Sequence, residues 1–280
     1  MQPQKFSGLE EWVEYLSQIE IPTLKYTARS LTALCSDEEN VSARGIAQII
    51  KYDPLTTVKL LRYLHQNKNK SQQHEVMEVE QALMMLGIET ALKCIPVHLL
   101  VEEQLSGQRM NALICLLQAI KRAKQASAYA YDWAVRLQDL HFEEIRIAAL
   151  LHDIAELLMW CFAPTEMLRI NAMQKQDKTL RSIHAQEKVF GFTLLHLQSE
   201  LVIKWGLPKL LITLMDDNCA HHQRVSNVVL AVNLARHAAN GWDNAALPDD
   251  YSSISKLLQM QTDDVMAIIG AKKTPNIMHQ

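Results

Sequence analysis

Turn-forming residues are scarce in this chain: glycine and proline number 8 each in 280 residues. An average chain carries roughly 12% of the two together. So few breakers leave long uninterrupted segments, and long segments with apolar residues every third or fourth place fold as helices. The sequence therefore predicts an all-α fold. Hydrophobic residues at 49% and charged residues at 21% are enough to build a large core and too apolar for extended disorder.

Helical periodicity locates the segments. Leu9, Trp12, Val13, Leu16 and Ile19 define a first helix that Ile21-Pro22 ends. A second runs to about Cys35, and Ser42 caps a third that carries Ile46, Ile49 and Ile50. Asp53-Pro54 is a strong start signal, because the carboxylate accepts from free amides while proline in the first turn loses nothing. The polar stretch from His65 to Glu78 reads as an exposed loop. Glu80 to Leu86 is a helix closed by Gly87, and Ile88 to Leu105 follows with a kink at Pro96. Asn111 to Gln138 and Phe142 to Phe162 are two long helices, the second apolar on all sides and so central. Further helices are expected at Thr165–Gln174, Ile183–Val189, Thr193–Trp205, Lys209–Cys219 and Val225–Ala239, with two short ones in Ser252–Gly270. The expected organisation is an N-terminal helical cap at 1–20, a main domain at 21–240 with an internal boundary near 106–110, and a helical extension at 241–280.

Composition narrows the function. Twenty-eight basic against 31 acidic residues give a net charge of −3, which provides no positive field to hold a phosphate backbone. Nucleic acid is not an expected partner, and Lys121, Arg122, Lys124, Lys68 and Lys70 read as surface charge. The N-terminus, with Glu10 and Glu11 and no apolar core, is not a secretory signal. The most apolar stretch contains Arg146, His152, Asp153 and Glu156, which argues against a membrane span. Five cysteines, Cys35, Cys94, Cys115, Cys161 and Cys219, are widely spaced without a CxxC pair and read as buried thiols of a reducing compartment. A cytoplasmic protein is expected. Dinucleotide fingerprints, nucleophile elbows and phosphate loops do not occur.

The chemistry-bearing residues centre on His152-Asp153 in Ala148-Ala149-Leu150-Leu151-His152-Asp153-Ile154-Ala155-Glu156. Adjacent imidazole and carboxylate can hold one divalent metal, and His196, His221 and His222 could add ligands for Fe, Mn or Zn. Without further context a plainer reading is favoured for the pair, in which Asp153 pairs with a base and His152 is a satisfied core histidine; His221-His222 could likewise complement the dipole at the end of the helix before them.

A series of segments resembles the HDOD (HD-related output domain) family of the HD phosphohydrolase superfamily. These are Ile21-Pro22-Thr23-Leu24, Ile46 through Pro54, Leu60 through Leu64, Ala82 through Gly87, Leu150 through Ala155, Glu187 through Gly191 with His196, and Trp205-Gly206-Leu207-Pro208. They occur in order from Ile21 to Ala239. The resemblance implies a multi-helix HD-domain-like bundle with an N-terminal helical subdomain, serving bacterial signal transduction as a regulatory module without established catalysis. A working HD site would also need a histidine on the helix before the pair, where Lys121, Arg122 and Lys124 stand, and a late aspartate, where Asn233 stands. A neutral amide is a poor carboxylate substitute. The implied site is degenerate: a basic residue, Lys121 or Arg122, facing Asp153 would replace the metal's charge. The expected function is a regulatory module that binds a signalling protein or a small ligand, with no cofactor. The alternative is a metal-dependent phosphohydrolase using His152, Asp153, His196, His221 and His222. The chain shows no receiver, cyclase or kinase segment, so it is expected to act as a stand-alone domain, and the sequence leaves its oligomeric state open.

Overall fold

The computed structural model describes residues 6, 8–36, 41–67, 76–94 and 99–271, with residues 93, 94 and 108 as backbone only. Lys68, Lys70, Pro96 and the Cys94 side chain lie outside the described residues. The fold is all-α. Among the described residues there is no strand, only an isolated parallel bridge between Thr23 and Leu100. In chain order the helices are α1 (Leu9–Gln18), α2 (Lys25–Cys35), α3 (Ala43–Ile50), α4 (Pro54–Gln66), α5 (Val79–Leu86), α6 (Ile88–Cys94), α7 (Val101–Gln104), α8 (Met110–Arg136), α9 (Phe142–Leu151), α10 (Ile154–Phe162), α11 (Pro164–Gln176), α12 (Ser182–Phe190), α13 (Leu194–Lys204), α14 (Lys209–Leu214), α15 (Gln223–His237), α16 (Leu247–Leu258) and α17 (Thr262–Ile268).

Local chemistry explains the boundaries. Ser42 Oγ accepts from the Gly45 amide at 3.1 Å and starts α3. Asp53, almost wholly buried, accepts from the amides of Leu55 and Thr56 and from the hydroxyls of Thr27 and Thr56, with Pro54 behind it in the first turn of α4. Gly87 and Gly206 close α5 and α13 at φ 77° and 66°, where a side chain would strain the backbone. Two long segments are broken more than their periodicity suggests. Lys209–Cys219 is helical only to Leu214 and then makes a separate 3-10 turn at Asp217–Cys219, and Phe142–Phe162 is interrupted at His152-Asp153.

Packing divides the chain into two discontinuous units, residues 1–124 with 153–212, and 125–152 with 213–280. In the first unit, α2 to α6 enclose an apolar cluster built on Leu31, Ile46, Ile50, Leu60, Leu64 and Leu83. There α10 packs on α4, α11 and α13, while α1 lies on α13. Trp12 meets Phe190 edge-on at 6.3 Å, and Tyr15 meets Phe162 at 5.9 Å, so the expected N-terminal cap is part of this unit. Lys59 is buried there, its ammonium donating to the Ile21 carbonyl at 3.0 Å and facing Glu20 at 3.4 Å. In the second unit α15 packs on both α9 and α16, and α16 on α17. Val228, Ala231, Val232, Ile254 and Val265 are buried in it, with Tyr129 stacked on Trp133 at 5.8 Å. Cys161 is buried, whereas Cys35, Cys115 and Cys219 are half-buried free thiols rather than core residues. No single helix among the described residues is long and apolar enough to cross a membrane.

Candidate functional site

The His152-Asp153 pair forms the turn between α9 and α10. His152 keeps helical angles at φ −55°, ψ −34°, but Asp153 leaves them at φ −107°, ψ 29°, and its carbonyl accepts from the Leu157 amide to begin α10. Every residue from Ile145 to Leu151 is buried, as are Ile154 and Ala155. The turn thus interrupts a mostly apolar segment whose helical pattern continues on both sides, which is why periodicity alone reads straight through it.

His152 is itself buried, and its Nε2 lies 2.9 Å from Oδ1 of Asp217. A carboxylate only accepts, so Nε2–H donates and the imidazole is held in the tautomer protonated there. The bond occupies Nε2, whereas a carboxylate on one ring nitrogen is also the usual support of a histidine that ligates through the other. Asp217 opens the 3-10 turn after α14, which Asp216 caps by accepting from the Asn218 amide at 3.0 Å. Sequence reasoning missed this partner. The run Asp216-Asp217-Asn218 was the available signal, since such residues cluster where a helix gives way to a turn.

Lys121 or Arg122 was expected to face Asp153; the partner of Arg122 is Glu156. Nη2 donates to Glu156 Oε1 and Oε2 at 2.8 and 3.0 Å, and Trp160 Nε1 donates to the same Oε1 at 3.2 Å. Glu156 stands three residues after Asp153, so the guanidinium is held on the first turn of α10. Lys121 is exposed and Lys124 half-buried, and neither makes an ion pair among the described residues. Asp153 is half-buried.

The remaining candidates are dispersed along the chain. His196 is exposed in the first turn of α13, where its backbone amide donates to Thr193 Oγ1. His221 and His222 are exposed with ring centroids 4.0 Å apart, and His222 is the N-cap of α15. They therefore precede a helix instead of ending one, and the favourable interaction expected with a helix C-terminus does not arise. Asn233 is half-buried on α15, while the deeply buried amide of that helix is Asn227, whose Nδ2 donates to the Ala130 carbonyl at 3.2 Å. Among the described residues, no group of three or more His, Cys, Asp or Glu side chains is placed to hold a metal ion. The donor set as arranged does not fit an Fe, Mn or Zn centre, which needs three or more protein ligands around one point.

Comparison with known proteins agrees with the architecture. The HDOD domain family model matches residues 21–224. No curated protein matches the chain significantly. Among solved structures, the chain is similar to the MmoQ response regulator of Methylococcus capsulatus str. Bath, with TM-score 0.69 and 19% identity over 91% of this chain and 100% of that one. It is also similar to a virulence factor of Campylobacter jejuni subsp. jejuni, with TM-score 0.65 and 17% identity over 93% and 97% of the two chains. At such identities the structures speak for the fold. The family match spans well over half of the 280 residues, and the chain belongs to the HDOD family.

Proposed function

We propose that this chain is a non-catalytic, cytoplasmic module of bacterial signal transduction that acts by binding a signalling protein or a small ligand, with its His152-Asp153 turn a degenerate HD metal site. The observation that supports the reading is the dispersal of the candidate ligands: among the described residues no three His, Cys, Asp or Glu side chains are placed around one point. Arg122, standing where the family resemblance leads one to expect a ligand histidine, is paired with Glu156 on the first turn of α10. Family membership and the fold shared with a response regulator support a signalling role. Free thiols at Cys35, Cys115, Cys161 and Cys219 agree with a reducing compartment.

Elemental analysis by mass spectrometry tests the reading, on protein purified without chelator and on the His152→Ala and Asp153→Ala variants. Background metal in all three, with no hydrolysis of bis(p-nitrophenyl) phosphate on adding Mn²⁺, is the expected result. Near-stoichiometric Fe, Mn or Zn that both variants lose would overturn it in favour of a phosphohydrolase.

A further inference from the structure

An open groove on α2, within the first unit, is built without any residue of the His152-Asp153 turn. The Thr23 amide donates to the Leu99 carbonyl at 2.9 Å and the Val101 amide to the Thr23 carbonyl at 3.1 Å. This bridge fixes Leu100 beside the start of α2. Lys25, Ala28, Arg29, Thr32 and Ala33 recur at helical spacing and form one face. With Leu100 they line an open groove of about 400 Å³, a size suited to a small molecule.

The groove's chemistry is uneven. Ala28, Ala33 and Leu100 are apolar, and the Thr32 hydroxyl is turned back onto its own helix, donating to the Ala28 carbonyl at 3.0 Å. Lys25 and Arg29 sit one turn apart, and neither side chain makes an ion pair among the described residues. The nearby carboxylate of Glu102 is engaged by the backbone amide of Lys25 at 2.9 Å. Two unpaired cations at the N-terminal end of an apolar trough select a molecule with an anionic head and a greasy body. From Lys25 to Ala33 the helix rises about 12 Å, which limits that body to a short chain.

We propose that this groove binds a small amphipathic carboxylate, its head between Lys25 and Arg29 and its aliphatic body along Ala28, Ala33 and Leu100. The site is independent of any metal at His152, so either reading can fail without the other. Octanoate titrated into the full-length, isotope-labelled protein is the test, followed by amide NMR. Saturable shifts are expected at residues 25–33 and 99–101. Arg29→Glu and Ala33→Trp, both at exposed positions, are expected to weaken binding about tenfold or more while leaving the far-ultraviolet circular dichroism unchanged. Octanol and acetate, each lacking half of the recognised chemistry, are expected to bind far less well. The proposal is overturned by absence of saturable shifts, by octanol matching octanoate, or by affinity that survives Arg29→Glu. It is overturned equally by shifts that cluster elsewhere on the protein.

Discussion

One nitrogen of Arg122 sits between the two carboxylate oxygens of Glu156, at 2.8 and 3.0 Å, and each side chain is about one-quarter exposed. That burial places the pair between surface ion pairs, which contribute little, and fully buried ones, whose disruption strands a charge. The charge of Arg122 is met locally by the carboxylate of Glu156.

A double-mutant cycle with Arg122→Met and Glu156→Gln is expected to give a coupling free energy of about 1 kcal/mol in urea unfolding. Coupling indistinguishable from zero would show that the observed contact does not hold in solution.

Asp53 serves two roles at once, capping α4 through two amides and satisfying the hydroxyls of Thr27 and Thr56. Asp53→Ala removes the cap, worth about 0.5–2 kcal/mol, and leaves buried hydroxyls unsatisfied at about 1–3 kcal/mol. A total loss of about 1.5–5 kcal/mol is expected from chemical denaturation, with Asp53→Asn losing less because it can still cap. Equal losses for the two variants would contradict this division.

The parts of the fold legible in sequence were those governed by local chemistry. Ser42, Asp53-Pro54 and Gly87 act on amides within a few residues, and each ends or begins a helix where expected. The site was less legible because its contacts are not local. Arg122 and Glu156 are 34 residues apart and His152 and Asp217 are 65 apart, and no periodicity links them. The break at His152-Asp153 escaped for a related reason: apolar residues on both sides satisfy a helical pattern with or without an interruption. The histidine pair was misplaced because the helix before it stops at Leu214, several residues short of its apolar pattern's end.

In the second unit Asp139 accepts from Arg224 Nε at 2.7 Å and from the His141 amide at 2.9 Å. Burial alone would raise its carboxyl, but the hydrogen bonds from Arg224 and His141, together with their charges, outweigh it and hold the group below the ordinary carboxylate value. A carboxyl depressed in the folded state stabilises above its unfolded pKa of about 3.9 and loses that stabilisation as pH falls through the folded value. The stability difference between wild type and Arg224→Ala should therefore be full at neutral pH and shrink below about pH 4. Urea midpoints of both proteins at neutral and acid pH check this, and a difference independent of pH would refute it.

Two thiols of the chain are held in the protonated form by different surroundings. Cys161 is completely buried in α10, and that burial, reinforced by the charge of Asp53, pushes its thiol far above the usual range. Cys219 is half-buried, and its thiol is raised by desolvation, by its hydrogen bond to Asp216 Oδ2 and by the negative charge there. Because the thiolate is the nucleophile, both should alkylate slowly, but for separable reasons. With iodoacetamide and peptide mapping, Cys161 is expected to stay unmodified until the protein is unfolded, since no local change exposes it. Cys219 should react in the folded state, and faster in Asp216→Asn, where the carboxylate charge opposing its ionisation is gone. If Cys161 is modified as fast as Cys219 in folded protein, the core around α10 opens more readily than its packing implies. If Asp216→Asn leaves the Cys219 rate unchanged, desolvation alone sets that thiol's acidity.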